Sequence, residues 1–522
     1  MQLKSNRNIL IGIGVAVILI VIYLIYNNNL NGMSGMDHSK MSSDQMNAMN
    51  SNQAPSNVKT TKMEIADGKN FTLTAQASHL EVQDGKTLSV WTFNNSVPGP
   101  QIRVKQGDTV KVTLNNSLPE PVSIHWHGYP VPFDMDGIPG MTQNAVQPGK
   151  SFTYEFKATT PGTYWYHSHQ DSVNQVDRGL YGSFIVVPQD DIIDKDYTLV
   201  LDEWVSSETM GTMDMSNMDH SKMSMGDNMS MVDNMSMYDL YTMNGKTGSA
   251  IDKLSVMKGD KVRIRLINAG FISHQMHLHG QDFKVTATDG QPVNNPQTLK
   301  DTLISIAPGE RYDIEFAANN PGQWYLEEHG KEPRVKGMKT MIQYEGDNTI
   351  ADQPNDSVTL PVFDLTKYGQ PSKPAFNLDQ KFDVEYTMKL NTEQKGGNIA
   401  YTINGKTFPD TVPVKVKKGD IVKVTFVNES KNADHPMHLH GQFFEVLSKN
   451  GQLLEGTSIV KDTLNIKPGE QYVVAFKADN PGDWMFHCHD LHHAAAGMVT
   501  ELQYTDFNNT FVSDPKAGNK PE

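Results

Sequence analysis

His487-Cys488-His489 places a cysteine between two histidines, and His493 and Met498 follow it five and ten residues later. Upstream, His435-Pro-Met-His438-Leu-His440 adds three more imidazoles. Two imidazoles, one thiolate and one long axial thioether are the ligand set of a blue-copper centre, which selects His435, Cys488, His493 and Met498. Cys488 is the only cysteine of 522 residues, so no intramolecular disulfide can form. A lone cysteine is ordinarily a small buried hydrophobe, and the flanking histidines turn this one toward ligation as a thiolate.

More imidazoles occur near the other end of the chain, in His125-Trp-His127 and Trp165-Tyr-His167-Ser-His169. On a strand, residues i and i+2 share a face, so each His-x-His pair aims two rings the same way. Together His125, His127, His167, His169, His438, His440, His487 and His489 suffice for three further copper ions at a junction of two distant segments. A middle segment, His274-Gln-Met-His277-Leu-His279, echoes the later motif, but its partner reads Glu327-Glu328-His329. Glu328 stands where a thiolate would be needed, which excludes blue copper there. We read this segment as a duplicate that lost its centre; the alternative is an extra copper held by His274, His277, His279, Glu327 or His329. His79 and His492 carry no comparable signal.

The elements that must position these residues come in a threefold repeat. Lys105-Gln-Gly-Asp, Met257-Lys-Gly-Asp and Lys417-Lys-Gly-Asp each precede an alternating apolar/polar run, and Pro-Gly turns recur at 148, 308 and 468 and again at 161, 321 and 481. Short strands between Pro/Gly turns, with no long amphipathic helix competing, predict an all-β chain of three tandem Greek-key β-sandwiches. Their expected bounds are 63–188, 189–346 and 356–507, with a linker at 347–355 and a tail at 508–522.

Lys4 and Arg7 precede an uncharged apolar run, Ile9 to Tyr26. Such a run spans about 27 Å as a helix, close to the hydrocarbon thickness of a bilayer. Residues 1–26 are therefore expected to be a single-pass membrane anchor with the catalytic body on the extracytoplasmic side. A cleaved signal and a secreted body is the alternative. Residues 27–62, rich in Asn, Ser and Met, read as a flexible tether. Net charge is −15, which argues against a nucleic-acid partner and favours cations. A polar insertion at 206–238 carries Met210, Met213, Met215, Met218, His220, Met223, Met225, Met229, Met231, Met235 and Met237. Set among acids and small polar residues they have no core to fill, and soft thioethers favour Cu(I), so the segment reads as copper-handling rather than as a solubilising linker.

Together these motifs resemble those of three-domain multicopper oxidases of the laccase and copper-efflux type, with cupredoxin folds, over about 63–507. The resemblance implies four copper ions. Type 1 copper falls to His435, Cys488, His493 and Met498, and type 2 copper to His125 and His438. The type 3 pair falls to His127, His167 and His489 and to His169, His440 and His487. It also implies that electrons pass from Cys488 into His487 and His489, coupling four one-electron oxidations of a small reducing substrate to reduction of O2 to water. Asp136 matches an acid those enzymes carry near the trinuclear cluster, while Ala494 stands where a second acid is found. A methionine-rich insertion after Trp204 points to Cu(I) as substrate and to copper tolerance. Phenol oxidation of the laccase kind is the alternative, and a copper-sequestering surface protein without turnover is the reading from a different class.

Overall fold

Each repeat opens on the same turn, for the same reason. Gly107, Gly259 and Gly419 adopt φ of 95°, 98° and 95°, a region that a side chain disfavours. The following aspartate closes the turn: Asp108, Asp260 and Asp420 accept from the backbone N–H of Lys105, Met257 and Lys417 at 3.1, 2.8 and 2.8 Å. The chain then enters strands Thr109–Asn116, Lys261–Asn268 and Ile421–Asn428, whose apolar residues alternate into a core.

The computed structural model describes residues 59–522, apart from residue 61 and the stretches 206–237, 331–336, 348, 350–358 and 396–397. The expected anchor, most of the tether and the methionine run from Met210 to Met237 lie outside the described residues. Among the described residues no helix is long and apolar enough to cross a membrane.

Strands form six sheets in three facing pairs: five and four strands, six and five, then seven and five. Many neighbours in a sheet are not consecutive in the chain, so connections cross between layers as sandwich folds require. Each pair encloses its own core, centred on Trp126, Tyr154 and Phe184 in the first, Leu266, Ile314 and Leu326 in the second, and Phe426, Trp484 and Phe486 in the third. The segment leading into the third pair first crosses the second, where Tyr368 joins the second core and Val362 bridges Leu303. Among the described residues α-helix is confined to two short pieces beside the histidines, Ser172–Asp177 and Leu491–Ala495.

One buried ion pair ties the three sandwiches together. Arg311, fully buried on the second, donates its two terminal nitrogens to Asp462 of the third at 2.8 and 2.6 Å. Its Nε donates to the Thr163 carbonyl of the first at 3.2 Å. Gly128, also of the first, lies so close that a Cβ there would meet Arg311 Nη2 at 2.2 Å. Burial alone would raise the Asp462 carboxyl, but the Arg311 charge and hydrogen bonds override it and hold it well below the usual range. Removing one partner of such a pair strands the other in a dry interior, at a cost of about 3–5 kcal/mol. Arg311→Met should therefore lower the thermal midpoint by several degrees in calorimetry. Arg311→Lys, which keeps charge but not the fork, should fall between the two.

Candidate metal centres

Strand alternation divides the chemistry of the third sandwich into two places. On Asp483–Cys488 and its continuation, Cys488 points into the core with Met437 and Met498, whereas His487 and His489 point the other way. Across the ladder Met437 faces Cys488 and His438 faces His487.

Around Cys488 the donors are pre-aimed. Its Sγ lies 3.8 Å from His435 Nδ1 and 3.6 Å from His493 Nδ1. A trigonal ion with bonds of about 2.0–2.3 Å would set sulfur and nitrogen roughly 3.7 Å apart, so the spacing fits. Nε2 of His435 is held by the Ser430 hydroxyl at 2.7 Å, and Nε2 of His493 by Asp490 at 3.2 Å, which leaves both Nδ1 atoms for the sulfur side. Met498 is fully buried in the same core, and its backbone carbonyl accepts from the Cys488 N–H at 3.0 Å. Burial pushes the Cys488 thiol well up, with Asp490 adding to it, so its thiolate form requires a cation beside it.

The other eight histidines converge between the first and third sandwiches. In the first, His125 faces His167 and His127 faces Trp165 across the ladder of His125–His127 with Gly162–His167. Three groups of imidazoles have their donor atoms within 4.8 Å of one another: His125, His127 and His438; His127, His167 and His489; and His169, His440 and His487. Nδ1–H groups are spent on carbonyls and carboxylates: His125 on the Asp136 carbonyl at 3.0 Å, His167 on Ser168 at 2.8 Å, His438 on Asp462 at 3.1 Å and His487 on Cys488 at 3.0 Å. His440 Nδ1–H meets the Asp136 carboxylate at 3.0 Å. His127 is reversed, its Nε2 meeting the Thr463 hydroxyl at 3.1 Å.

What these bonds leave over is a set of buried nitrogens without partners: Nε2 of His125, His167, His169 and His438, Nδ1 of His127, and both nitrogens of His489. Unsatisfied buried polar atoms are costly, about 1–3 kcal/mol each, and are rarely tolerated in such number. Burial first, and mutual repulsion second, lower the pKa of His127, His167, His440, His487 and His489 well below the usual value. Neutral imidazoles with free lone pairs aimed at common points are metal donors, so the residues fit the copper ions they are expected to hold.

Asp136 is fully buried and touches two imidazoles through its carboxylate, His440 at 3.0 Å and His125 at 3.1 Å. Sequence reasoning missed Arg311, Asp462 and Glu522. A signal for Asp462 was present, since Lys-Asp-Thr-Leu occurs at both 300–303 and 461–464. The tail at 508–522 returns to the first sandwich, where Gln170 donates to the Gly518 carbonyl at 2.8 Å and His169 Nδ1–H to the Pro521 carbonyl at 2.6 Å. Glu522 ends at 3.5 Å from both His169 and His487, with Ser172 donating to it at 2.7 Å. Burial pushes its carboxyl up to about 8. No composition or periodicity signal marks these residues.

Two outcomes check this geometry. Cys488→Ser should abolish the intense blue charge-transfer band while the cluster still binds copper by metal analysis; a variant that stays blue overturns the Cys488 assignment. Removing residues 519–522 takes away the acceptor that orients His169, and such supporting bonds are worth about 10–100-fold. The truncated protein should stay blue but lose O2 uptake by a factor in that range.

Three models described as multicopper oxidase match residues 74–191, 195–347 and 375–507. The chain is 31% identical to multicopper oxidase MmcO of Mycobacterium tuberculosis over 478 residues, covering 83% of this chain and 86% of that one. Copper resistance protein A of Escherichia coli is 25% identical, with 84% and 92% covered. A crystal structure of a multi-copper oxidase from Pseudomonas thermotolerans superposes with a TM-score of 0.62 at 26% identity, over 85% of this chain and all of that one. Members of this family bind four copper ions and are oxidoreductases. With all three segments matched and the donor clusters in place, the chain belongs to the multicopper oxidase family.

Proposed function

We propose that this oxidase takes Cu(I) as its reducing substrate, with His435, Cys488, His493 and Met498 as the type 1 ligands. His125 and His438 then serve type 2 copper, and His127, His167, His489, His169, His440 and His487 the type 3 pair. When bound, the copper ions supply the one-electron chemistry that couples substrate oxidation to reduction of O2 to water. The chain's own part is to join and orient. Cys488 and its two histidine neighbours link the mononuclear and trinuclear ligand sets through one short run of backbone. Asp136, a carboxylate against two cluster imidazoles, is placed to hold or pass a proton at its Oδ atoms. The folded units are taken as 63–188, 189–346 and 356–507. The apolar run Ile9 to Tyr26 supports an anchored body outside the cytoplasm.

One observation carries the choice of substrate. The insertion carrying Met210 to Met237 leaves the second sandwich at Trp204 and re-enters it at Tyr238. Both flanks are packed in one apolar cluster with Phe271 and Leu491. The Tyr238 hydroxyl lies 3.1 Å from Nε2 of His492, the neighbour of His493 on the helix Leu491–Ala495. The described ends of the insertion, Trp204 and Tyr238, thus pack against the helix that carries His493. Thioethers bind Cu(I) without losing a proton and would concentrate it there. The name of the related copper resistance protein A is in keeping with this reading.

Deleting Met210 to Met237 should lower kcat/KM for Cu(I) at least about tenfold, spare or raise activity on phenols, and leave the blue spectrum unchanged, because no type 1 ligand is removed. Steady-state O2 uptake with both substrates makes the measurement. Unchanged Cu(I) kinetics would put phenol oxidation first.

A further inference from the structure

The second sandwich reproduces the register of the third. Met276 faces Glu328 and His277 faces Glu327, as Met437 faces Cys488 and His438 faces His487. At the position of the blue-copper ligands it has changed character. His274 lies between Glu203 and Glu328, at 3.3 and 3.4 Å. Burial opposes its charge, but the two carboxylates override this and push it up to about 10, so a proton takes the place of a metal there.

The opposite face of the same strands kept its donors. His329 Nε2 lies 3.4 Å from His277 Nδ1, 3.1 Å from His279 Nε2 and 3.4 Å from Glu327 Oε1. His279 Nε2 is 2.8 Å from the same Glu327 oxygen. A hydrogen-bond network does not account for this arrangement. An imidazole Nε2 has one in-plane hydrogen or one lone pair, yet three polar atoms converge on that of His329. The other ring nitrogens, Nε2 of His277 and Nδ1 of His279, are buried and have no hydrogen-bond partner. Four ligands held tetrahedrally at about 2.0–2.1 Å from a cation stand about 3.3 Å apart, and four of these donor pairs lie at 2.8–3.4 Å.

We propose that His277, His279, His329 and Glu327 form a mononuclear site for a divalent borderline cation, zinc(II) or copper(II), in addition to the four family coppers. Three imidazoles and one carboxylate, with no sulfur, suit that class and disfavour Cu(I). Lys339, 2.7 Å from the other Glu327 oxygen, fixes the carboxylate. Glu327 and His329 keep 16% and 18% of their side-chain surface exposed, which gives an ion entry from solvent, while His277 and His279 close the inner side. None of these residues belongs to the sites assigned above, so the proposal stands whether or not Cu(I) is the substrate.

The test uses the full chain, loaded to four coppers and showing its blue band. Zinc(II) in one arm and copper(II) in the other are added in slight excess, the protein is desalted, and metals are counted by mass spectrometry. Wild type should retain one further ion per chain, and the arm that retains it more tightly in competition identifies the metal. His329→Gln and Glu327→Gln, both at the open edge, should keep four coppers, the blue band and oxidase turnover while weakening retention of the additional ion at least about tenfold. No additional ion on wild type in either arm overturns the proposal. So does equal retention by wild type and both variants, which would place the ion elsewhere.

Discussion

A guanidinium with no access to water is the contact on which this architecture depends. Arg311 reaches from the second sandwich to a carboxylate of the third and a carbonyl of the first, and the same Asp462 leans on His438 at 3.3 Å and His127 at 3.5 Å. The oligomer-like junction of the three units and the orientation of the cluster histidines are therefore one electrostatic problem with one solution. Lys461 repeats the theme next door, held by Asp289 at 3.1 Å and Glu310 at 3.2 Å. Charges that would be costly alone are affordable here only as a satisfied network.

Most of the metal chemistry was legible in the sequence because ligands on strands obey simple periods. The i, i+2 spacing of His125 with His127, or His487 with His489, fixes a face before any fold is known. The Gly-Asp turns were legible for a similar reason, since both the positive φ and the side-chain cap are local. Arg311 and Glu522 were not, and Asp462 only through the repeated Lys-Asp-Thr-Leu. Their roles arise from contacts between residues 148 or more positions apart, where nothing local distinguishes a junction arginine from a surface one. Asp136 sat between the two cases, with a turn-like local sequence and a burial that only the junction creates.

The middle sandwich shows how little sequence change alters an electrostatic site. One carboxylate in the register of Cys488, with Glu203 from the facing sheet, brackets His274 and favours its protonated form. The strand register is the same in both sandwiches, and the side chains set in it differ.

The cluster draws its imidazoles from strands near residue 125 and residue 487, and rests on a carbonyl at residue 521. Synthesis delivers those segments at very different times. A chain cut short before the last sandwich carries His125, His127, His167 and His169 without their partners from the third. Such a fragment lacks Cys488 and the cluster histidines of the third sandwich, so it cannot assemble the full set of four coppers.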